Sequence, residues 1–156
     1  RLAAYRDRIA RGELLRVVVL VDRDTDDCVA LKRQLEEMAS VAGLATKTHP
    51  DVEGLFHVVN RIAVEELESW FIGDAAALRL AFSSLPTVDV GKGIFRNPDN
   101  GGSWEALHRF LKKHGIYKNS YPKIDAARRI AANLDLQANR SRSFQVFVQG
   151  VEALLT

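Results

Sequence analysis

Apolar and polar positions first trace a strand–helix unit, then a second such unit, and finally a wholly helical half. Arg16 to Val21 reads RVVVLV, a short β-branched apolar run that ends abruptly in acid, the pattern of a strand buried on both faces. We read it as a central parallel strand. From Asp27 to Ala42 the residues Cys28, Leu31, Leu35, Met38 and Ala42 recur every three or four positions, which predicts a helix packed on that face and stopped by Gly43. Residues 44–55 carry turn formers. Phe56 to Ile62 (FHVVNRI) predicts a second strand, followed by a helix from about Val64 to Phe71 that continues past Gly73 into the Ala-rich stretch Asp74 to Phe82. Two strand–helix units in succession favour an α/β layer fold with parallel pairing.

Beyond Phe82 the texture changes. Residues 83–102 hold Pro86, Gly91, Gly93, Pro98 and the Gly101-Gly102 pair, and loops of this length in compact domains are usually functional or mobile. Three helical patterns follow: Ser103 to His114, Pro122 to Leu134 with Pro in its first turn, and Ser143 to Leu155, with Ser103 and Ser143 as expected N-caps. No internal repeat or low-complexity tract interrupts them.

Composition narrows the class. The 156 residues are 47% hydrophobic and 27% charged, ordinary for one globular domain over residues 1–156. The longest apolar run is the five residues Val17 to Val21, far short of the roughly twenty that a membrane-spanning helix needs. Cys28 is the single cysteine, so disulfide scaffolding is excluded and a cytoplasmic, reducing location is expected. Arg1 to Arg6 reads as the inside of a helix rather than a signal peptide, so the chain is expected to be a fragment. Residues 1–95 carry 12 Lys+Arg against 15 Asp+Glu (net −3), and residues 96–156 carry 10 against 5 (net +5). Acid in the first half suits a cation site, and base in the second suits a phosphate-bearing partner.

The strongest chemical feature is VVVLV followed by Asp22-Arg23-Asp24-Thr25-Asp26-Asp27. Ligands of parallel α/β sheets bind outside the carboxyl ends of the strands, where this turn falls. Four carboxylates within six residues repel one another unless a cation, a basic partner or water offsets them, and hard oxygen donors suit Mg²⁺ or Mn²⁺. Asp26 and Asp27 can instead cap the next helix. A calcium hand starting at Asp22 fails, because its sixth and twelfth positions are Asp27 and Arg33. A haloacid-dehalogenase-type phosphatase is weakened by Thr25 standing one place early.

Two further constellations stand out. In Arg61-Ile62-Ala63-Val64-Glu65-Glu66-Leu67-Glu68-Ser69-Trp70-Phe71-Ile72-Gly73-Asp74, the residues Glu66, Trp70 and Asp74 share one helical face at steps of four, while Glu68 points elsewhere. Glu66 can thus face the same strand-end crevice as Asp22, or merely start a solvated helix. Near the end, Lys123 and Asn139-Arg140-Ser141-Arg142-Ser143-Phe144 place cations and hydroxyls at a helix start, a ready phosphate site, unless an arginine there pairs internally with acid. The four histidines show no metal-ligand spacing.

Together, VVVLVDRDTDDC, RIAVEELESWFIGD, the NPDN loop and YPKIDAARRIAANLDLQANRSRSFQVF resemble a bacterial domain-of-unknown-function family, number 4276, regarded as Toprim-related. The resemblance implies a Toprim-like, Rossmann-like fold: a mostly parallel sheet flanked by helices, with a helical C-terminal part. It implies Mg²⁺-dependent phosphodiester chemistry on nucleic acid, as in topoisomerases, primases and related nucleases. Asp22 and Asp24 would then be the metal-holding Asp-x-Asp, with Glu66 completing the catalytic set. Glu66, Glu68, Trp70 and Asp74 match the family's Glu-x-Glu-x-Trp signature, so Glu68 and Asp74 join the metal set, and Arg61, Lys123, Arg140, Ser141, Arg142 and Ser143 are expected on phosphate. The family's opening strand and its Glu-bearing turn are missing before Arg1. Family members lie beside ATPase genes of the ABC or AAA type, implying a partner ATPase and a setting in phage defence. The rival expectation is a non-catalytic nucleic-acid-binding or regulatory subunit of the same shape.

Overall fold

The computed structural model describes residues 1–156, and contacts divide them into two compact units, residues 1–62 with 146–156 and residues 63–145. The fold mixes helix and strand, with a two-stranded parallel sheet flanked by helices.

The first unit holds α1 (Leu2–Ala10), β1 (Val17–Asp22), α2 (Cys28–Val41) and β2 (Val58–Ala63), whose last residue is the first of the second unit, together with the C-terminal part of α7 (Arg142–Leu155). The Val17 N–H donates to His57 O at 2.8 Å, and on the other side of β2 a parallel bridge joins Thr46 to Val58. β1 is therefore the edge strand. Its burial alternates, with Val18 at 39% and Leu20 at 38% exposure, so the expectation of a central strand covered on both faces is corrected. The physical reason is that β1 has one hydrogen-bonded neighbour, and its Val17 and Val19 pack, as Leu2 and Ile9 of α1 do, on one buried cluster of Ala39, Ala42, Leu44 and Val58. A β-branched run marks a strand but does not count the layers around it.

Helix α2 begins where its cap residue predicts: the Asp27 carboxylate accepts the Ala30 N–H at 2.8 Å, and Gly43 takes a left-handed φ of 71° just past the end. The inward face is rotated from the predicted one. Leu35, Glu36 and Ala39 are buried, whereas Met38 is 55% exposed.

The second unit holds α3 (Glu68–Ile72), α4 (Ala75–Ala81), a single 3₁₀ turn at Gly93–Phe95, α5 (Ser103–Lys113), α6 (Lys123–Ala131) and the first turn of α7. Phe71, Leu78, Leu107, Leu111 and Ile130 form its dry centre. The expected continuous helix through Gly73 is two helices, because Asp74 leaves helical geometry at φ −128° and caps α4 by accepting the Ala77 N–H at 2.8 Å. Two expected caps also move. Gly102, at φ 59°, precedes α5, so Ser103 lies inside the helix. Ser141 caps α7, its hydroxyl accepting the Phe144 N–H at 3.2 Å, and Ser143 lies in the first turn. No helix is long and apolar enough to cross a membrane.

Candidate active site

The acidic turn belongs to the first unit. Asp22 ends β1 and is exposed, as are Asp24 and Asp26. Asp24 sits at φ 48°, a left-handed conformation that Asp and Asn tolerate better than other side chains, and the Asp26 N–H closes the turn on Arg23 O at 2.9 Å. Asp27 is taken up by its capping bond. Asp22, Asp24 and Asp26 thus stand exposed at and just beyond the strand's carboxyl end, and nowhere do three or more His, Cys, Asp or Glu side chains gather as a metal cage.

The same unit contains a buried carboxylate outside the apolar face that periodicity marks on α2. Glu36 is 8% exposed and accepts from Lys32 Nζ at 2.5 Å, from Asn60 Nδ2 at 3.1 Å, from Thr48 Oγ1 at 3.2 Å and from Thr46 Oγ1. Burial alone would raise its pKa, but the donated bonds from Lys32, Thr46 and Asn60 outweigh it and bring the group down to about 2. This carboxylate holds α2 to β2 and to the strand-like segment at Thr46. A Glu next to Leu35 in an amphipathic helix is the only sequence signal for it, and that signal is indistinct from a solvated edge.

In the second unit Glu66 lies in the turn before α3, not on its face. Its Oε2 accepts the Trp104 N–H at 2.9 Å and the Ser103 hydroxyl at 3.1 Å, placing a negative charge at the start of α5, and Lys123 Nζ stands 3.7 Å from Oε1. Of the predicted phosphate ligands, Lys123 is thereby brought to a predicted metal ligand. The Lys123 ammonium also lies 5.1 Å from the centre of the Trp104 ring, which stacks on Tyr121. Glu68 is buried, and burial together with its nearby charge pushes the Tyr121 hydroxyl up, so that Tyr121 stays protonated. Asp74 is also buried: one oxygen caps α4, and the other accepts the Asp135 N–H at 2.8 Å.

The helix start expected to cradle phosphate already holds an anion of the chain itself. Asp99, from the NPDN loop, accepts the Ser141 hydroxyl at 2.6 Å, the Arg142 N–H at 2.7 Å and the Ser143 hydroxyl at 3.3 Å. Arg140 turns away from that point and donates to Val90 O at 2.5 Å and Phe95 O at 2.9 Å, fixing the 83–102 loop. The Arg142 side chain is exposed and reaches Gln145 at 3.4 Å. Arg61, in the first unit, donates to Val146 O and Asn60 O at 2.8 Å each, so its guanidinium is committed to backbone carbonyls.

A family model described as a domain of unknown function (DUF4276) matches residues 6–152. The chain belongs to this family. No curated protein and no solved structure matches it.

Three of the sequence motifs that bear the DUF4276 resemblance meet inside the second unit. Trp70 Nε1 donates to the Ser143 hydroxyl at 2.8 Å, Asn139 Nδ2 donates to Trp70 O at 2.8 Å, and the Arg140 N–H donates to Gly73 O at 2.9 Å. Asp99 joins the NPDN loop to the same place. Trp, Gly, Asn and Ser in these motifs therefore serve a buried hydrogen-bond lattice, whereas the Asp-x-Asp is exposed.

Proposed function

We propose that this DUF4276 protein is a Mg²⁺-dependent nuclease or related phosphoryl-transfer subunit of Toprim-like fold, acting on nucleic acid alongside an ABC- or AAA-type ATPase partner in phage defence. The observation that carries the reading is the pair Asp22 and Asp24, exposed at the carboxyl end of a parallel strand. Two hard carboxylates with waters suit Mg²⁺ or Mn²⁺, which commonly take one or two protein carboxylates and leave the remaining positions for water and substrate phosphate. The donor set therefore fits a lightly held ion rather than an all-protein cage. Bound there, the ion supplies Lewis-acid polarisation of a phosphoryl oxygen. Asp22 and Asp24 would hold it. Within the second unit, Glu66 holds the start of α5 through the Trp104 N–H and faces Lys123 at 3.7 Å, and Lys123 is offered as a phosphate contact of that unit.

One observation favours the second reading, a non-catalytic nucleic-acid-binding subunit: Glu66 and Asp74 are engaged inside the fold, Glu66 at the start of α5 and beside Lys123, Asp74 at the start of α4 and on the Asp135 N–H. Cleavage of labelled DNA and RNA, with Mg²⁺ or Mn²⁺ and with EDTA, separates the two. The nuclease reading expects metal-dependent cleavage that Asp24→Asn abolishes. Binding without cleavage by the wild type, with or without an ATPase partner, supports the second.

A further inference from the structure

We infer that the second unit carries a binding pocket for one nucleotide of a single-stranded nucleic acid, built between the 88–95 segment and α5. The cavity is about 390 Å³, toward the small end of the range of about 300–1,000 Å³ typical of ligand pockets, which suits a single flat ring system and its sugar. Its apolar lining comes from Val88, Ile94, Phe95, Ala106 and Phe110. Three cations stand in the same lining, Lys92, Arg109 and Lys113, against the single acid Asp89, which pairs with Lys92 at 3.2 Å.

Apolar floor and cationic rim together select an anion with a flat apolar body. Arg109 and Lys113 are four residues apart on α5, hence on one face and about 6 Å apart along the axis. Both are exposed, so neither is spent inside the fold. Phe110 lies between them in sequence, packs edge-to-face on buried Phe95 with ring centres 5.1 Å apart, and has the His114 ring tilted beside it at 4.9 Å. That leaves an aromatic wall flanked by two positive charges, the combination that stacks a base while holding its phosphates. The opposite wall is fixed in advance: Arg140 donates to Val90 O and Phe95 O, and the Asp89 carboxylate accepts the Gly91 N–H at 2.9 Å. A paired duplex keeps its bases stacked and cannot present one to the pocket, so the preference is for single strands.

This inference rests on the reading that the protein engages nucleic acid, but not on its cleaving it. The test is fluorescence anisotropy of a labelled 20-nucleotide oligothymidine and of a labelled duplex of the same length, titrated with the full chain from 50 to 200 mM salt. The wild type should prefer the single strand. Arg109→Ala with Lys113→Ala should weaken single-strand binding and lower the salt slope by about 1.4, two lost phosphate contacts at roughly 0.7 each. Phe110→Leu keeps apolar volume in the core while removing the stacking face, and should weaken binding fivefold or more, since base–aromatic stacking contributes about 1–3 kcal/mol per base. Unchanged affinity and slope in the Arg109/Lys113 double variant would overturn the pocket, even if metal-dependent cleavage is intact and the nuclease reading stands. Loss of binding in both variants supports it, even if no condition yields cleavage and the nuclease reading fails.

Discussion

Replacing Glu36 by Gln should destabilise the protein and flatten its response to acid. In the folded chain this buried carboxylate titrates at about 2, against an ordinary value of 4.5. That difference corresponds to about 3 kcal/mol carried by the ionised form. Because the folded pKa lies below the unfolded one, the contribution is fully present above about pH 4.5 and disappears as the pH falls through about 2. Gln keeps the side-chain length and one carbonyl acceptor for Thr46 or Asn60, but it loses the charge that faces Lys32 at 2.5 Å. Lys32 is partly exposed and can turn to solvent, so the loss at pH 7 should be about 2–3 kcal/mol, below the 3–5 kcal/mol found when a fully buried partner is stranded. Urea unfolding followed by circular dichroism at pH 7, 4 and 2.5 reads both effects. Glu13 and Asp135, whose carboxyl groups are also held below their ordinary values, titrate in both proteins and cancel in the difference. The two stability curves should converge as the pH approaches 2. A variant within about 0.5 kcal/mol of wild type at pH 7, the usual range for surface substitutions, would show that Glu36 behaves as a solvated group and that its bonds hold nothing together.

Gly73→Ala should cost about 1–3 kcal/mol by overpacking, since φ there is an ordinary −62° yet a Cβ would collide with Asn139 Oδ1 and stand 2.8 Å from Ser141 N; thermal melts check it, and an unchanged midpoint would contradict the buried lattice. Asp99→Ala should lose about 2 kcal/mol by removing the acceptor of the Arg142 N–H and the Ser141 hydroxyl at the start of α7, and Asp99→Asn, which keeps an acceptor, should lose clearly less; equal losses in chemical denaturation would mean that accepting these bonds is not what Asp99 provides. Asp24→Asn should leave metal-free stability unchanged or slightly raised, because Asn accepts φ 48° and one repelling charge is gone, whereas unfolding of the variant in EDTA would make Asp24 structural.

What could be read from the sequence was what depends on near neighbours. The start of α2 at Asp27 and its stop at Gly43 follow from a cap and a breaker, and the strand at Val17–Asp22 and the three late helices from local period, though the caps of α5 and α7 lie elsewhere than expected. Properties set by distant partners were not legible. VVVLV reads alike whether a strand has one neighbour or two, so its edge position was hidden. Glu66 looked like the first acid of a helix, but its partners Ser103 and Trp104 lie 37 and 38 residues away. Asp99 sat in a Pro/Gly-rich loop that offered no sign that it would reach the start of α7, 42 to 44 residues on, and take the place expected for phosphate. Of the candidate site, Asp22 and Asp24 were named by pattern alone, and the fold puts them exposed at and just past the end of β1. The Lys123, Trp104 and Tyr121 grouping needed the fold.

The central claim is that Asp22 and Asp24 share one divalent ion, and crystals of the protein soaked in Mn²⁺ test it most directly. The account predicts an anomalous peak between the two carboxylates, within about 2.5 Å of an oxygen from each or joined to one of them through a coordinated water. It also predicts that the peak vanishes in Asp24→Asn crystals soaked alike. A well-occupied peak elsewhere with none at the end of β1, or an unchanged peak in the variant, would contradict it.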